Sequence, residues 1–370
     1  MHSLAIKIEH ASPTPLHLQI REQLRSFILQ EKPEAGTMLP TIGELAAMAN
    51  VSTRTAYLGV NELVREGMCF IRPRKGVFVG QALSKTTRQK ICGIFHADGL
   101  SSFENDLVQS AIFRGITEEA RKTHLDSVFI NGNGAEAVGF YGGRHDMELS
   151  GVLMLSWREL KTGMALAEKF PTIRFVYLNH YLVGFERTPK NIHGIFNDDF
   201  AGGYAMANHL YAQGHRSFVV ISIDIGDENY PQRIKGFLRG IEENGGGRGK
   251  TSVITIRQEP GQGLQELGAE LAGKVHATGT IPDAVFSTND YVADGARRYF
   301  AEKGAHVAVA GYDNINPHLS REGGFSTMAV DFEKMGRLAV SMISSTGVDF
   351  PKIIRVNPQL IARSGQPQPN

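Results

Sequence analysis

From Ile91 onward the chain repeats one pattern, in which a short apolar run of four to six residues is followed by a stretch with helical periodicity. The runs are Ile91–Phe95, Ser127–Asn131, Gly151–Leu155, Arg174–Leu178, Ser217–Ser222, Ser252–Ile256, Ala284–Ser287 and Val307–Gly311. Helical stretches lie between most of them, at 106–122, 200–213, 233–244 and 291–303. A strand that is apolar throughout is covered on both faces, and strands alternating with helices form parallel sheets. The expected class is α/β, with doubly wound sheets. Residues 91–365, about 275 in all, exceed one such sheet, so two lobes with a cleft between them are expected. The glycine-rich stretch 132–148 shows no clear helix and interrupts the pattern.

Residues 1–80 read differently. Leu16, Ile20, Leu24, Phe27 and Ile28 recur at helical spacing, and this helix is expected to end near Lys32-Pro33. Thr41 and Glu44 form a capping box for a short second helix, and Ser52 can cap a third. On the third helix Ala56, Val60, Leu63 and Val64 face one way, and Thr53, Arg54, Tyr57, Asn61 and Arg65 the other. Two strand-like pieces, Met68–Arg72 and Gly76–Val79, follow as a hairpin tipped by Pro73-Arg74-Lys75. Three helices and a basic hairpin in this order describe a winged helix-turn-helix, whose third helix enters a major groove. The candidate DNA-binding residues are Thr41, Ser52, Thr53, Arg54, Thr55 and Tyr57 with the wing residues Arg72, Arg74, Lys75 and Gly76. Arg65 reads instead as a solvated charge.

Charge agrees with this division. Residues 1–90 hold 12 Lys and Arg against 7 Glu and no Asp, which leaves 27 against 31 for the rest of the 370-residue chain. A basic unit beside an acidic one implies that the first meets a polyanion. Polar residues 81–90 read as a linker, and 366–370 as a disordered tail. The N-terminal residues lack the apolar run of a signal peptide, and no apolar run is long enough to span a bilayer. The two cysteines, Cys69 and Cys92, are isolated and lie in apolar stretches. A cytoplasmic protein without membrane contact is expected.

In open α/β sheets ligands lie beyond the carboxyl ends of the strands. The polar stretches at those ends are 98–106, 156–157, 179–180, 224–233, 289–290 and 313–314. Among these residues Asp98, Phe103, Trp157, Asn179, Arg233, Asn289 and Asp313 are the candidate effector-binding set. Amides and carboxylates that fork across vicinal hydroxyls, beside aromatic faces, suit a carbohydrate. The plainer alternative is that such residues only cap helices, as Asp198 and Asn289 can. No metal-ligand spacing, nucleophile elbow or dinucleotide motif stands out, so neither cofactor nor enzymatic activity is expected. The P-loop-like run 244–251 leads from helix into strand, the reverse of what that motif needs.

Two families are resembled. Leu39-Pro40, Glu44-Leu45-Ala46, Val51-Ser52, Leu63, Glu66-Gly67, Arg72, Gly76 and Phe78-Val79 match in order the DNA-binding domain of GntR-family regulators. Two arginines frequent in that family are replaced here by Gly43 and Thr53, with Arg54 one position later. The stretches from Asp199 to Arg216, Arg233 to Phe237, Asn289 to Gly295, Gly311-Tyr312-Asp313 and Met335 to Ala339 resemble the effector domain of LacI/GalR-type repressors. That resemblance implies a periplasmic-binding-protein-like fold whose chain crosses three times between lobes, and a homodimer. It also implies ligand contacts at Arg233, Asn289 and Asp313, with Asn179 a weaker candidate, and makes Phe103 only a loose counterpart of a family aromatic. The arabinose-type repressors of Gram-positive bacteria combine the same two parts. The expected function is therefore a repressor binding double-stranded operator DNA under control of a small molecule, with closure of the lobes changing the spacing of the heads. The alternative is a cytoplasmic sugar sensor without sequence-specific DNA binding.

Overall fold

The computed structural model describes residues 4, 6–9, 12, 14–31, 33–80, 89–95, 106–130, 134–142, 147–155, 160–181, 184–245, 251–259, 261–345, 350 and 352–363. The chain divides into two compact units, one spanning 1–89 and one holding nearly all of the remainder.

In the first unit α1 (Leu16–Glu31) buries Ile20, Leu24 and Ile28, spaced four apart along one face. After β1 (Met38–Leu39), α2 (Ile42–Met48) starts at the capping box of Thr41 and Glu44. Next, α3 (Thr53–Arg65) starts at Ser52, whose hydroxyl accepts the amide proton of Thr55 at 3.1 Å. This satisfies one of the four amides a helix start leaves unpaired. The buried face of α3 is Ala56, Gly59, Val60 and Leu63; of the face the periodicity predicts only Val64 is no more than half-buried, and Gly59 is added. β2 (Cys69–Arg72) and β3 (Gly76–Val79) form an antiparallel hairpin in which Arg72 faces Gly76, and β1 pairs with the other edge of β3. Leu24, Leu45, Val60, Leu63, Val77 and Val79 close this unit's own core.

The second unit holds two six-stranded sheets. The first lobe runs through β4 (Gln89–Phe95), α4 (Leu107–Lys122), β5 (Asp126–Ile130), α5 (Gly134–Gly142), β6 (Met147–Met154), α6 (Leu160–Lys169), β7 (Arg174–Asn179) and β8 (Ile192–Asn197). The chain then enters the second lobe with α7 (Asp199–Ala212), β9 (Phe218–Asp224), α8 (Asn229–Glu243), β10 (Thr251–Arg257), α9 (Leu264–Ala277), β11 (Ala284–Ser287), α10 (Asp290–Glu302), β12 (Ala308–Asp313), α11 (Pro317–Gly323) and β13 (Ser326–Ala329). It returns to the first lobe for α12 (Phe332–Ser344) and β14 (Ile353–Val356), and ends in the second with β15 (Gln359–Ile361). Strand order is β14-β8-β7-β6-β4-β5 in one sheet and β10-β9-β11-β12-β13-β15 in the other. The recorded pairings are parallel except β13 with β15. The chain crosses between lobes three times, after β8, β13 and β14.

Three details differ from the sequence-based expectation. The stretch 132–148 contains α5, a nine-residue helix that buries Val138, and β6 begins at Met147 rather than Gly151. Burial of Val138 anchors this helix despite its glycines. β4 begins at Gln89, inside the expected linker, whose residues 81–88 lie outside the described residues, as does the tail 366–370. The strands β1, β8, β13, β14 and β15 are absent from the predicted set.

The pair α7 and α8 sets up the cavity described next. A Cβ on Gly203 would lie 2.0 Å from the Arg233 carbonyl oxygen, and one on Gly236 would lie 2.0 Å from that of Phe200. Only glycines at both positions let the backbones touch, and this contact fixes Arg233 beside the first turn of α7. No helix among the described residues is long and apolar enough to cross a membrane.

Candidate effector cavity and DNA-binding face

On the first unit, Ser52, Thr53, Arg54 and Tyr57 are exposed at the start of α3, and Thr55 is half-buried beneath them. The Ser52 hydroxyl also lies 2.8 Å from Thr55 Oγ1, so the two hydroxyls form one local pair. Thr41 is half-buried, and its hydroxyl sits 2.9 Å from Glu44 Oε2 within the capping box. Hydrogen bonds from Thr41 hold the Glu44 carboxyl below its usual range. In the wing, Phe70 and Phe78 stack with centroids 5.6 Å apart, and the Arg72 guanidinium lies 5.2 and 5.4 Å from their centroids. This aromatic platform limits the rotamers of Arg72. Arg74 and Lys75 are exposed at the tip, where Arg74 has φ +63° and Gly76 φ +123°. Leu58 is also exposed on α3, a residue the sequence argument leaves out.

Between the two lobes lies a cavity of about 620 Å³. Its walls come from the carboxyl ends of strands in both sheets. Asn179 ends β7 and His180 follows it, Asp227, Asn229 and Tyr230 follow β9, Asn289 lies two residues beyond β11, and Asp313 ends β12. Asp106, the N-cap of α4, and Phe332 line it from the first lobe, and Gln265 and Glu266 from the start of α9.

At the floor, Arg233 is almost fully buried. Its Nε donates to Asp199 Oδ1 at 2.7 Å, and one η nitrogen reaches both the Thr288 carbonyl at 2.7 Å and Asp313 Oδ1 at 2.9 Å. The Tyr312 ring packs 3.9 Å below the guanidinium. Among the described residues no partner bonds the other η nitrogen. Burial works against the Arg233 charge, yet Asp313 and Asp199 outweigh it and hold the pKa well above the usual arginine value. Burial raises both carboxyls, that of Asp199 to about 6, while Arg233 pulls them back. Asn289 is shared between two tasks. Its Oδ1 caps α10 by accepting from Tyr291 at 2.9 Å, and its Nδ2 donates to Asp313 Oδ2 at 2.9 Å. The helix cap expected from sequence is present, and the same residue also lines the cavity. Asp313 itself has φ +98°, a conformation that costs an ordinary residue of order 1–3 kcal/mol. Behind it, burial pushes the Asp290 carboxyl up to about 8, although the Thr327 hydroxyl and the Asn314 amide both donate to it.

Of the predicted effector residues, Asn179, Arg233, Asn289 and Asp313 line this one cavity, whereas Asp98, Phe103 and Trp157 lie outside the described residues. Asp106, His180, Asp227, Asn229 and Tyr230 fall within stretches flagged at strand ends without being singled out. Asp199, Gln265 and Glu266 come from none of them. Sequence flags Asp199 only as the opening residue of the LacI/GalR-like stretch and as the neighbour of the predicted cap Asp198, which does cap α7 through the Ala201 amide.

A winged head and a two-lobed body with a polar cavity at the strand ends define the class, a two-domain protein with a helix-turn-helix unit and a periplasmic-binding-protein-like unit. Comparison with known proteins gives the same two parts. Residues 16–79 match the bacterial regulatory proteins of the gntR family, and residues 207–364 match the periplasmic binding protein-like domain. The two matches fall on the head and the body respectively, so the chain is similar to gntR-family proteins in its first unit and to periplasmic binding protein-like domains in its second. It is 28% identical over 191 residues to the HTH-type transcriptional repressor PurR of Pasteurella multocida (strain Pm70), covering 49% of this chain and 56% of that one. It is also 28% identical over 179 residues to PurR of Proteus mirabilis (strain HI4320), covering 46% and 50%. The chain thus spans about half the length of the curated relatives it matches. Among solved structures, a LacI family transcriptional regulator from Enterococcus faecium with bound ribose superposes with a TM-score of 0.58 at 18% identity, over 76% of this chain and 100% of that one. The transcriptional regulator CelR–cellobiose complex gives 0.58 at 18% identity, over 88% and 99%. The lac repressor dimer bound to operator and the anti-inducer ONPF gives 0.58 at 19%, over 80% and 98%. At these identities the likeness is one of fold.

Proposed function

We propose that this chain is a cytoplasmic DNA-binding transcription regulator, a repressor acting as a homodimer, whose operator affinity is set by a small molecule held between the lobes. The observation that carries the reading is the presence, in one chain, of an exposed α3 face with a basic wing and a cavity floored by Arg233, Asn289 and Asp313. Two copies of α3 would enter successive major grooves of a pseudo-palindromic site, with Ser52, Thr53, Arg54, Thr55 and Tyr57 at base edges and phosphates. Thr41 would stand at the adjacent helix start, and Arg72, Arg74, Lys75 and Gly76 would meet the backbone or minor groove.

For the effector we propose an uncharged or cationic, donor-rich molecule of the carbohydrate class. Asp106, Asp227, Glu266 and Asp313 line the cavity against Arg233, whose charge Asp199 and Asp313 already balance. A phosphate or carboxylate entering there would meet excess negative charge. A polyol would find acceptors, and the free η nitrogen of Arg233 could donate to one of its oxygens. The ribose and cellobiose named with two structural neighbours are of this class.

Fluorescence anisotropy of DNA from upstream of the protein's own gene, at two salt concentrations and with a panel of neutral, aminated and phosphorylated sugars, tests the proposal. Tight, salt-dependent binding that a neutral or aminated sugar weakens supports it. Weakening by a phosphorylated sugar alone contradicts the charge argument. Binding no better than to random DNA favours a sensor without an operator, a reading that Gly43 and Thr53, replacing two arginines frequent in GntR-type heads, keep in view.

A further inference from the structure

Beside the cavity the two lobes are joined by more than the three chain crossings. Four residues after strand ends meet there, two from each lobe, with a fifth supplying backbone. His180 Nδ1 lies 3.2 Å from Asp227 Oδ2. The Tyr181 amide donates to Asn229 Oδ1 at 3.1 Å, and Asn229 Nδ2 donates to the Asn179 carbonyl at 3.1 Å. Asn179 Nδ2 stands 3.5 Å from His180 Nε2, so with Nδ1 protonated toward Asp227 the imidazole accepts on its other side.

The local structure is built for this contact. Asn179 has φ +70°, a left-handed conformation that asparagine tolerates better than most residues, and it turns the chain off β7 toward the second lobe. Tyr181 is anchored in the first lobe. Its ring meets Phe196 edge-on at 5.6 Å, its hydroxyl donates to Glu186 at 2.9 Å, and Arg355 lies 5.1 Å from its centroid. Asn229 is the first residue of α8 and is 2% exposed, so the second-lobe side is fixed as well. Two buried acceptors in the same cluster, Asn179 Oδ1 and Asp227 Oδ1, have no hydrogen-bond partner among the described residues, and both residues line the cavity. A buried acceptor left unpaired is costly, so each favours a molecule that brings it a donor.

We infer that residues 179–181 and 227–229 form a clasp that holds the lobes together before any ligand binds, and that a ligand hydroxyl or ammonium group completes it by donating to Asn179 and Asp227. His180, Asp227 and Asn229 are thereby positioning residues for closure. The ligand's part in this rests on the proposed function; the clasp itself does not.

The test is a distance measurement by pulsed electron paramagnetic resonance on the full chain without ligand. Nitroxides are attached at Lys161→Cys on α6 and Lys303→Cys after α10, both exposed positions, while the native Cys69 and Cys92 are buried. The wild-type background should give one narrow distribution. His180→Ala and Asp227→Ala should broaden it and lower the ratio of closed to open molecules about tenfold, as expected for loss of one hydrogen bond. Asp227→Asn should keep the wild-type distribution, because its amide oxygen still accepts from His180. His180 lies at the rim with 19% of its side chain exposed, so its replacement leaves the core intact, which a thermal melt verifies. A broad wild-type distribution, or unchanged distances in both alanine variants, would overturn the clasp. Sugar-responsive operator binding alongside unchanged distances would do so while leaving the proposed function in place.

Discussion

Replacing Arg233 by alanine removes the cation that pairs with two buried carboxylates, Asp199 and Asp313. Arg233 and Asp199 are each 3% exposed and Asp313 is 5% exposed, so neither carboxylate can turn to water for compensation. Breaking a buried pair by removing one partner costs roughly 3–5 kcal/mol. For a unit of this size that corresponds to a melting point lower by roughly 6–12 °C. The loss has a pH signature. Burial already raises Asp199 to about 6 and raises Asp313 above the usual range. Without the guanidinium both rise further and take up protons in the folded state, whereas they are ionised in the unfolded chain above about pH 4. Folded pKa values above the unfolded ones mean that stability falls as pH rises. The slope reaches about 2.7 kcal/mol per pH unit while both carboxyls stay protonated. Arg233→Lys keeps one ion pair and should recover most of the stability, but it loses the fork that spans Asp199, Asp313 and the Thr288 carbonyl. In the anisotropy titration Arg233→Ala should weaken the sugar response at least tenfold. Operator binding without sugar should stay within about twofold, because the head has a core of its own. A sugar response of wild-type size in the alanine variant would refute the site assignment. So would loss of operator binding together with the response in a protein that still melts cooperatively.

Other expectations follow from single groups. The Asp290 carboxyl, raised to about 8 by burial, should cost wild-type stability as pH rises from about 4 through 8, and Asp290→Asn should flatten melting point against pH over that range. Equal slopes for the two proteins would mean that this carboxyl is ionised at neutral pH. Arg74→Ala and Arg72→Ala should each weaken DNA binding across sequences and reduce the slope of log affinity against log salt by about one per head. Phe78→Ala, which removes half the platform under Arg72, should weaken binding less than Arg72→Ala and leave the salt slope unchanged. Cys69, whose thiol burial pushes up to about 12, should react with an aromatic disulfide reagent only when the head unfolds, so labelling should track denaturation of that unit.

How much of this was legible beforehand depends on where the determining contacts lie. The eight apolar runs of the body correspond to strands, most of them because a strand buried on both faces is apolar throughout; the edge strand β10 is largely exposed and is legible instead through its β-branched residues. The strands that escaped notice break that rule for identifiable reasons. β8 reads Ile-His-Gly-Ile-Phe-Asn and is buried along its whole length. Its Gly194 is required because a Cβ there would lie 2.3 Å from the Phe196 ring. β13 reads Ser-Thr-Met-Ala; its Thr327 bonds Asp290, and Ser326 lies 3.0 Å from a ring nitrogen of His209. Polar side chains in that strand are satisfied by residues 37 and 117 positions away, which no local pattern can display.

The site follows the same logic one level higher. That polar residues follow each strand is a local fact, and it flags Asn179, Asn289, Asp313 and the stretch that includes Asp227 and Arg233. Which of them face one another depends on sheet order. The order β9-β11-β12 sets Asp227, Asn289 and Asp313 side by side, although their strands are interleaved in the chain with α8, β10, α9 and α10. Asp199 reaches Arg233 only because the chain has crossed from β8 into α7 and because glycines at 203 and 236 let α7 and α8 touch. An ion pair 34 residues apart thus depends on two positions without side chains. A bulkier residue at either glycine, such as Gly236→Ala, should therefore displace Arg233 and impair the ligand response while every polar residue of the cavity is retained.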